Sequence, residues 1–285
     1  MKGKNLKGSL MLLITAIIWG FAFVAQSVGI DTMGPFTFNG IRCVIGGLVL
    51  IPVILILNKG RLKEILTREA LIGGICCGVC LFIASMFQQW GIMNSTVGKS
   101  SFITALYVII VPLLGLFIGK KVSMKVWISV AISLVGLYLL CMSGSLSLGT
   151  GDVYLLICAV CFSIHILVID YFSPKADGVV ISCIQFFTAG IISLIVMCFT
   201  EQPTWEMIYS GRYAILYAGL LSCGVAYTLQ VVFQKDVEPT AASLILCLES
   251  VFGALGGWLI LGEVLSAREI TGCVLMFAAI VMAQL

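Results

Sequence analysis

The sequence predicts an all-α integral membrane protein with ten transmembrane helices in two inverted five-helix repeats. Three observations predict this fold class: the composition, the regular length of the apolar runs, and a match between the two halves of the chain. Hydrophobic residues make up 61% of the 285 residues and charged residues only 10%, whereas a soluble domain carries about a quarter charged residues. The composition excludes a soluble globular protein, and its richness in aliphatic side chains excludes a disordered one.

The apolar runs have the length of membrane-spanning helices. A hydrocarbon core about 30 Å thick needs about 20 apolar residues per helix, whereas the strands of a membrane barrel would alternate over about 10 residues. The first run follows Lys2, Lys4 and Lys7 as in a signal peptide, but it reaches span length with no cleavage pattern, so we expect it to remain as a helix.

Charges, glycines and prolines separate the runs. In the first half the helices are predicted at 8–28, 35–57, 70–91, 98–118 and 125–143, and in the second half at 152–171, 179–199, 213–233, 240–261 and 269–285. All twelve cysteines fall inside these runs, where a free cysteine behaves as a small apolar residue.

The distribution of Lys and Arg predicts the orientation, because positively charged loops stay in the cytoplasm. In a ten-helix topology one side carries twelve of these residues, and the other carries only Lys99, Arg212 and Arg268. Both termini are therefore predicted to be cytoplasmic, and the net charge of +3 reflects topology and indicates no nucleic-acid partner. The twelve are Lys2, Lys4, Lys7, Lys59, Arg61, Lys63, Arg68, Lys120, Lys121, Lys125, Lys175 and Lys235.

The two halves of the chain match weakly but without gaps at a shift of 143 residues. The first repeat is predicted at 1–143 and the second at 151–285, each with five helices. Because five is odd, the copies must have opposite orientations in the membrane. Inverted repeats are typical of transporters with a substrate site near the membrane midplane, and a duplicated scaffold without transport is the alternative. Matching pairs include Gly8 with Gly151, Leu12 with Leu155, Cys80 with Cys223, Val108 with Val251 and Ser123 with Ser266.

Short motifs in both halves resemble those of one family. The first half contains Trp19-Gly20, Pro35 followed by Arg42, and Thr96-Val97-Gly98-Lys99 leading into 102–108 with Pro112 beyond; the second contains Leu248-Glu249-Ser250-Val251-Phe252 and Leu261-Gly262-Glu263. The chain resembles the drug/metabolite transporter superfamily, in its ten-helix form with two EamA-type repeats. The resemblance implies a secondary transporter of small metabolites in the cell (inner) membrane, many bacterial members being exporters of amino acids or related compounds. Ser250 stands where the family pattern has Pro, so we expect a straighter ninth helix.

Two charged side chains are predicted within the spans, where each is costly. Glu249 lies near the predicted bilayer centre, and Arg42 lies about 6 Å toward the outer side at 1.5 Å per residue. Pairing them would reduce the cost of burying either charge alone. We predict an Arg42–Glu249 pair with either a structural role or a substrate or gating role, and a central carboxylate would also bind a cation or a proton.

Polar and aromatic side chains recur on six of the predicted helices. Amides facing lipid would leave their hydrogen bonds unmet, and binding cavities combine apolar walls with a few polar groups. His165 either is hydrogen-bonded to a neighbouring helix or couples transport to protons; it shares a face with Cys158 and Cys161 but lacks a fourth ligand for a metal site. The predicted substrate-binding residues are Trp19, Gln88, Tyr107, His165, Tyr227, Gln230 and Glu249.

The chain has no nucleotide-binding loop and no hydrolase motif, so we expect neither an enzyme nor a cofactor or bound metal. The sequence predicts alternating-access transport of a small polar or amphipathic metabolite such as an amino acid, in the direction of export. A flippase for lipids or lipid-linked sugars and a cationic drug efflux pump are the alternatives. Glycines spaced by four residues, such as Gly74 with Gly78, would pack helices within the chain or across a homodimer.

Overall fold

A computed structural model describes residues 2–58, 62–95, 97–141, 149–256, 258–259 and 266–284. Within these ranges all regular secondary structure is helical, and eight helices are long and apolar enough to cross a membrane, with a ninth that is shorter. The predicted all-α membrane fold is confirmed. Lys59, Arg61, Thr96, residues 142–148 between the two repeats and the motif 261–263 lie outside the described residues.

The first repeat contains five main helices, numbered here α1 to α5. A short helix, Leu62–Ile65, lies between α2 and α3. The fourth helix is interrupted at Leu106, where the backbone N–H bonds Ile103 three residues back instead of four. The helices are α1 (Lys2–Thr32), α2 (Pro35–Asn58), α3 (Arg68–Met93), α4 (Val97–Ala105 and Tyr107–Phe117) and α5 (Met124–Cys141).

The second repeat contains α6 to α10. A short helix, Trp205–Ser210, precedes α8, and α8 is wound as a π-helix over Tyr217–Tyr227. The helices are α6 (Thr150–Phe172), α7 (Gly178–Thr200), α8 (Arg212–Leu216, Tyr217–Tyr227, Thr228–Phe233 and Gln234–Asp236), α9 (Pro239–Leu246 and Glu249–Gly256) and α10 (Ala267–Gln284).

The expectation of a straighter ninth helix stays a prediction, but the helix is not continuous. Although Ser250 replaces the family's Pro, α9 is interrupted at Cys247 and Leu248. The Cys247 thiol donates to the Leu244 carbonyl at 3.0 Å, and the Leu248 N–H donates to the Ile245 carbonyl. These local bonds replace regular helical bonding and interrupt the helix without a proline.

The helices pack in a two-fold pattern that matches the sequence repeat. In one half α3 packs on α6 and α7, and in the other half the equivalent helix α8 packs on α1 and α2. Two further pairs join equivalent helices of the two repeats: α2 with α7, and α5 with α10. A Cβ atom at Gly8 would lie 2.7 Å from Val237, and one at Gly151 would lie 2.7 Å from Asn94. Both Gly8 with Gly151 and Asn94 with Val237 are 143 residues apart, so the same contact occurs once in each half.

Paired helices run antiparallel across the seam between the repeats. Glu201, at the end of α7, accepts hydrogen bonds from the backbone N–H groups of Phe36 and Thr37, in the first turn of α2. Near the opposite ends of the molecule, Lys120 after α4 forms an ion pair with Asp170 in α6. These contacts join the two repeats on both faces, with the packed centre of the molecule between them.

Candidate functional site

One cavity at the seam is lined by all seven predicted binding residues and by Arg42. The polar lining comes from α1, α2, α3, α4, α6, α8 and α9, so both repeats contribute. The structure therefore brings together side chains that lie up to 230 positions apart in the sequence. Their role in substrate binding stays a prediction. The lining comprises Trp19, Ala22, Phe23, Gln26, Arg42, Gln88, Tyr107, Phe162, His165, Ile166, Ser222, Tyr227, Gln230, Leu246 and Glu249.

The cavity is small and almost all of its lining is buried. Every lining residue except Trp19 is buried, and Gln88 and Phe162 are the most exposed of the buried set at 6% and 8%. About 30 Å³ is open to the centres of water-sized spheres, which is room for a few water molecules. A metabolite would need the walls to move apart.

Glu249 and Tyr107 form the hydrogen-bonded pair on one side of the cavity. The Tyr107 hydroxyl donates to Glu249 Oε1 at 3.1 Å. Each residue begins a helical segment directly after a break, Tyr107 after Leu106 in α4 and Glu249 after Leu248 in α9. A carboxylate is favoured at the first turn of a helix by the helix dipole, and broken helices at corresponding places in two repeats point to the binding site of transporters.

Arg42 is held by neutral partners on α2 and α3. Its Nε donates to Asn39 Oδ1 at 3.0 Å, and its Nη2 donates to Ser85 Oγ at 3.2 Å. The guanidinium carbon lies 5.6 Å from the centre of the Phe38 ring. These contacts fix a cation that is only 2% exposed.

The predicted direct contact between Arg42 and Glu249 is not made. Within the part of the chain that the structure describes, no carboxylate lies within ion-pairing distance of Arg42. Each charge is bonded to neutral groups on its own side, Arg42 to Asn39 and Ser85 and Glu249 to Tyr107. Arg42 and Glu249 therefore line one cavity without being bonded to each other.

His165 is bonded to a neighbouring helix, as the first of its two interpretations expects. Its Nε2 lies 3.2 Å from Gln185 Oε1 on α7. Its ring centre lies 6.1 Å from that of Tyr227, which is 4.5 Å from that of Trp19. The three rings form an aromatic wall of the cavity.

Three polar atoms in the lining have no hydrogen-bond partner among the described residues: Trp19 Nε1, Gln26 Oε1 and Gln230 Oε1. The other end of the Gln230 amide donates to Gln234, whose own amide donates to the Ile166 carbonyl at 2.7 Å. Buried polar atoms are costly when unsatisfied, so these three are candidates for contact with a ligand.

The π-helical part of α8 sets which of its residues face the cavity. Ser222 and Tyr227 lie within it and Gln230 follows it. Two hydrogen bonds hold this wide helix against α1: Tyr217 donates to the Ile18 carbonyl at 2.9 Å, and Thr15 donates to the Ala226 carbonyl at 3.1 Å. Inserted π-turns are frequent at functional sites.

Sequence reasoning missed Gln26, Asn39, Ser85 and Ser193. Gln26 lies near the end of the predicted 8–28 helix, where a polar residue is ordinary, whereas the observed α1 continues to Thr32. A serine within a span does not indicate an inward-facing position, because its hydroxyl can bond a carbonyl of its own helix. Of the four, Asn39 was the residue whose amide within a predicted span could have indicated an inward-facing side chain.

No group of three or more His, Cys, Asp or Glu side chains is placed to hold a metal ion among the described residues. Cys158, Cys161 and His165 share α6, but His165 is bonded to Gln185.

The sequence model of the EamA-like transporter family matches the chain twice, over residues 6–142 and 149–284. The chain belongs to the EamA-like transporter family. It is therefore a multi-pass membrane transporter with two EamA repeats, whose partners are a small-molecule substrate and the lipid bilayer. The family is one of transporters, not enzymes.

Relatives match over nearly the whole chain. An uncharacterized transporter from Archaeoglobus fulgidus is 29% identical over 99% of this chain and 87% of its own. The uncharacterized transporter YoaV of Bacillus subtilis is 24% identical over 97% of this chain and 96% of its own. The uncharacterized inner membrane transporter YedA of Escherichia coli is 25% identical over 89% of this chain and 82% of its own.

A solved crystal structure has the same fold. It aligns with a TM-score of 0.82 at 17% sequence identity, covering 97% of this chain and 96% of that one. At this identity the likeness concerns the fold alone.

Proposed function

We propose that this EamA-family protein is a secondary transporter that exports a small zwitterionic metabolite, such as an amino acid, by alternating access. The observation that supports the proposal most directly is the placement of Arg42 and Glu249 in one small cavity without a bond between them. A zwitterion carries the two charges that would complete this arrangement.

The cavity offers complementary groups to both ends of such a substrate. A guanidinium has five N–H donors, and Arg42 uses two of them to bond Asn39 and Ser85. The remaining donors would bind a substrate carboxylate, which arginine often binds through two parallel hydrogen bonds. A substrate ammonium would lie toward Glu249, with the unpartnered Gln26 and Gln230 oxygens as further acceptors.

Alternating access is supported by the inverted repeats and by the two broken helices. A cavity at the seam of such repeats is exposed to each side in turn when one part rocks against the other. The breaks at Leu106 and at Cys247–Leu248 supply places where α4 and α9 would bend. Export follows the family resemblance, and the Lys and Arg distribution together with the name of the Escherichia coli relative supports an inner-membrane protein with cytoplasmic termini.

The test is flux in liposomes containing the purified protein. A labelled neutral amino acid should exchange across the membrane, and the unlabelled zwitterion should compete at least tenfold better than its carboxamide or its N-acetyl derivative. The Arg42→Gln variant should lose discrimination against the carboxamide, and Glu249→Gln should lose it against the N-acetyl derivative. Lys121→Gln, outside the cavity lining, is the matched control. Equal competition by all three compounds would refute a zwitterion site.

A cationic drug efflux pump is the second candidate, because one observation favours it. The Trp19 and Tyr227 rings, 4.5 Å apart, line the same cavity as the Glu249 carboxylate, and aromatic faces attract cations. Flux of a lipophilic cation that requires Glu249 but is unchanged in Arg42→Gln would support this candidate over the first. The flippase alternative needs a cavity open sideways to lipid, and the buried lining does not favour it.

A further inference from the structure

We propose that Asn39 is a positioning residue for transport: it holds the Arg42 guanidinium at the cavity and is itself held by Ser193 from the other repeat. This proposal rests on the proposed function, in which Arg42 binds a substrate carboxylate. Asn39 and Ser193 do not touch the cavity; neither belongs to its lining.

Both ends of the Asn39 amide are used. Its Oδ1 accepts from Arg42 Nε at 3.0 Å, and its Nδ2 donates to Ser193 Oγ at 2.8 Å. The Ser193 hydroxyl in turn donates to the Ala189 carbonyl at 2.7 Å. Asn39 and Ser193 are both fully buried, so the chain of bonds from Ala189 to Arg42 is shielded from water.

The bonds give Arg42 one orientation out of several. An arginine side chain is long and flexible, and its fork-shaped head binds a carboxylate best when it is fixed in advance. Among the described residues, Ser85 is the one other hydrogen-bond partner of the guanidinium, so without Asn39 the cation would keep that bond alone. The guanidinium would then sample several orientations, and binding a substrate carboxylate would carry the entropic cost of fixing one of them.

The anchor crosses the seam between the repeats. Asn39 lies in α2 and Ser193 in α7, so the orientation of Arg42 depends on how these two helices pack. The second repeat has no equivalent device: the positions matching Asn39 and Arg42 at the 143-residue shift are Ser182 and Gln185. Ser182 donates to the Gly178 carbonyl of its own helix and Gln185 is bonded to His165, so the anchored cation belongs to the first repeat.

The experiment compares transport kinetics in liposomes for Asn39→Ala, Ser193→Ala and Arg42→Gln, with Ser182→Ala as the matched control. We expect Asn39→Ala to raise the KM for the zwitterionic amino acid about tenfold, the size expected for losing one hydrogen bond to a charged group, with Vmax within about twofold. The inhibition constant of the carboxamide should not change. Ser193→Ala should raise the KM in the same direction by about threefold, because it loosens Asn39 without removing it.

A double-mutant cycle separates positioning from general stability. In the Arg42→Gln background, adding Asn39→Ala should change neither KM nor the carboxamide inhibition. Asn39→Asp keeps the shape of the side chain but adds a negative charge beside Arg42, so it should raise the KM for the zwitterion more than Asn39→Ala does.

Three results would overturn the positioning role. The first is an equal loss of affinity for the zwitterion and the carboxamide in Asn39→Ala. The second is a further rise in KM when Asn39→Ala is added to Arg42→Gln. The third is an Asn39→Asp variant with unchanged KM. If Asn39→Ala fails to fold, the Ser193→Ala variant, alone and with Arg42→Gln, gives the same decision. Failure of the proposed function is distinct, because Arg42→Gln alone would then leave discrimination against the carboxamide unchanged.

Discussion

At the scale of single residues, the cavity keeps its charges apart by giving each a neutral partner. The Tyr107 hydroxyl donates to Glu249, and the Asn39 amide oxygen and the Ser85 hydroxyl accept from Arg42. Burying a charge without partners is far more costly than burying one with hydrogen bonds. The protein therefore holds two ionisable side chains in its interior, each with hydrogen-bond partners, and leaves both at the cavity wall.

Replacing Tyr107 by Phe removes the hydroxyl that donates to Glu249. A hydrogen bond to a charged group contributes about 1.5–3 kcal/mol, so we expect the KM for a zwitterion to rise about tenfold or more. The measurement is saturation kinetics in liposomes. Tyr138→Phe in α5, outside the cavity lining, is the control; an unchanged KM in Tyr107→Phe would contradict the role of this hydroxyl.

Gln26→Leu tests a residue that sequence reasoning missed. Its amide oxygen is buried in the cavity without a partner among the described residues, so an apolar side chain of similar size should leave the melting temperature unchanged or raise it. Substrate affinity should fall several-fold. Gln89→Leu is the matched control, since both of its side-chain amide atoms are also buried without a described partner but it does not line the cavity. Loss of stability without loss of affinity in Gln26→Leu would exclude Gln26 from the site.

At the scale of helices, the sequence predicted the all-α membrane fold and the approximate positions of the helices but not their interruptions. The length of an apolar run predicts the length of a span, because charged side chains are costly in lipid. Polar residues such as Gln88 and Gln230 were expected to face inward for the same reason. The breaks in α4 and α9 and the π-helix in α8 depend on local bonds such as that from Cys247 to Leu244. Composition does not encode these bonds, and the missing Arg42–Glu249 contact depends in the same way on Asn39 and Ser85.

The end of α4 provides a test of helix termination. Gly119 has φ +78°, a left-handed conformation that costs other residues about 1–2 kcal/mol. Gly119→Ala should therefore lower the melting temperature of the purified protein. Gly115→Ala is the matched control: its added Cβ would meet only the Lys120 side chain, at 3.8 Å, and alanine favours a helix. Equal melting temperatures for the two variants would contradict the strained position of Gly119.

At the scale of the whole molecule, the 143-residue shift found in the sequence appears as a repeated set of helix contacts. Two odd-numbered repeats related in this way are inverted, and the cavity lies on their seam, as sequence reasoning expected for inverted repeats. The sequence could place the seam because both halves kept enough identical residues. The size of the cavity could not be read from it, because closure depends on how tightly the walls pack.

The orientation of the molecule in the membrane can be tested by reporter fusions. If the Lys- and Arg-rich side is cytoplasmic, a fluorescent protein fused to the carboxyl end should fluoresce and a periplasmic phosphatase fused there should be inactive. Fusions of the same reporters after the first predicted helix should behave in the opposite way. An active phosphatase at the carboxyl end would overturn the predicted topology.

Because α8 is wound as a π-helix over Tyr217–Tyr227, the position of its cavity-lining side chains depends on the number of residues in this segment as well as on their identity. Each residue of an ordinary α-helix turns the chain by about 100°, so adding or removing one residue here would swing Gln230 and all that follows it around the helix axis. Insertions and deletions that a surface loop would absorb would carry Gln230 away from the cavity.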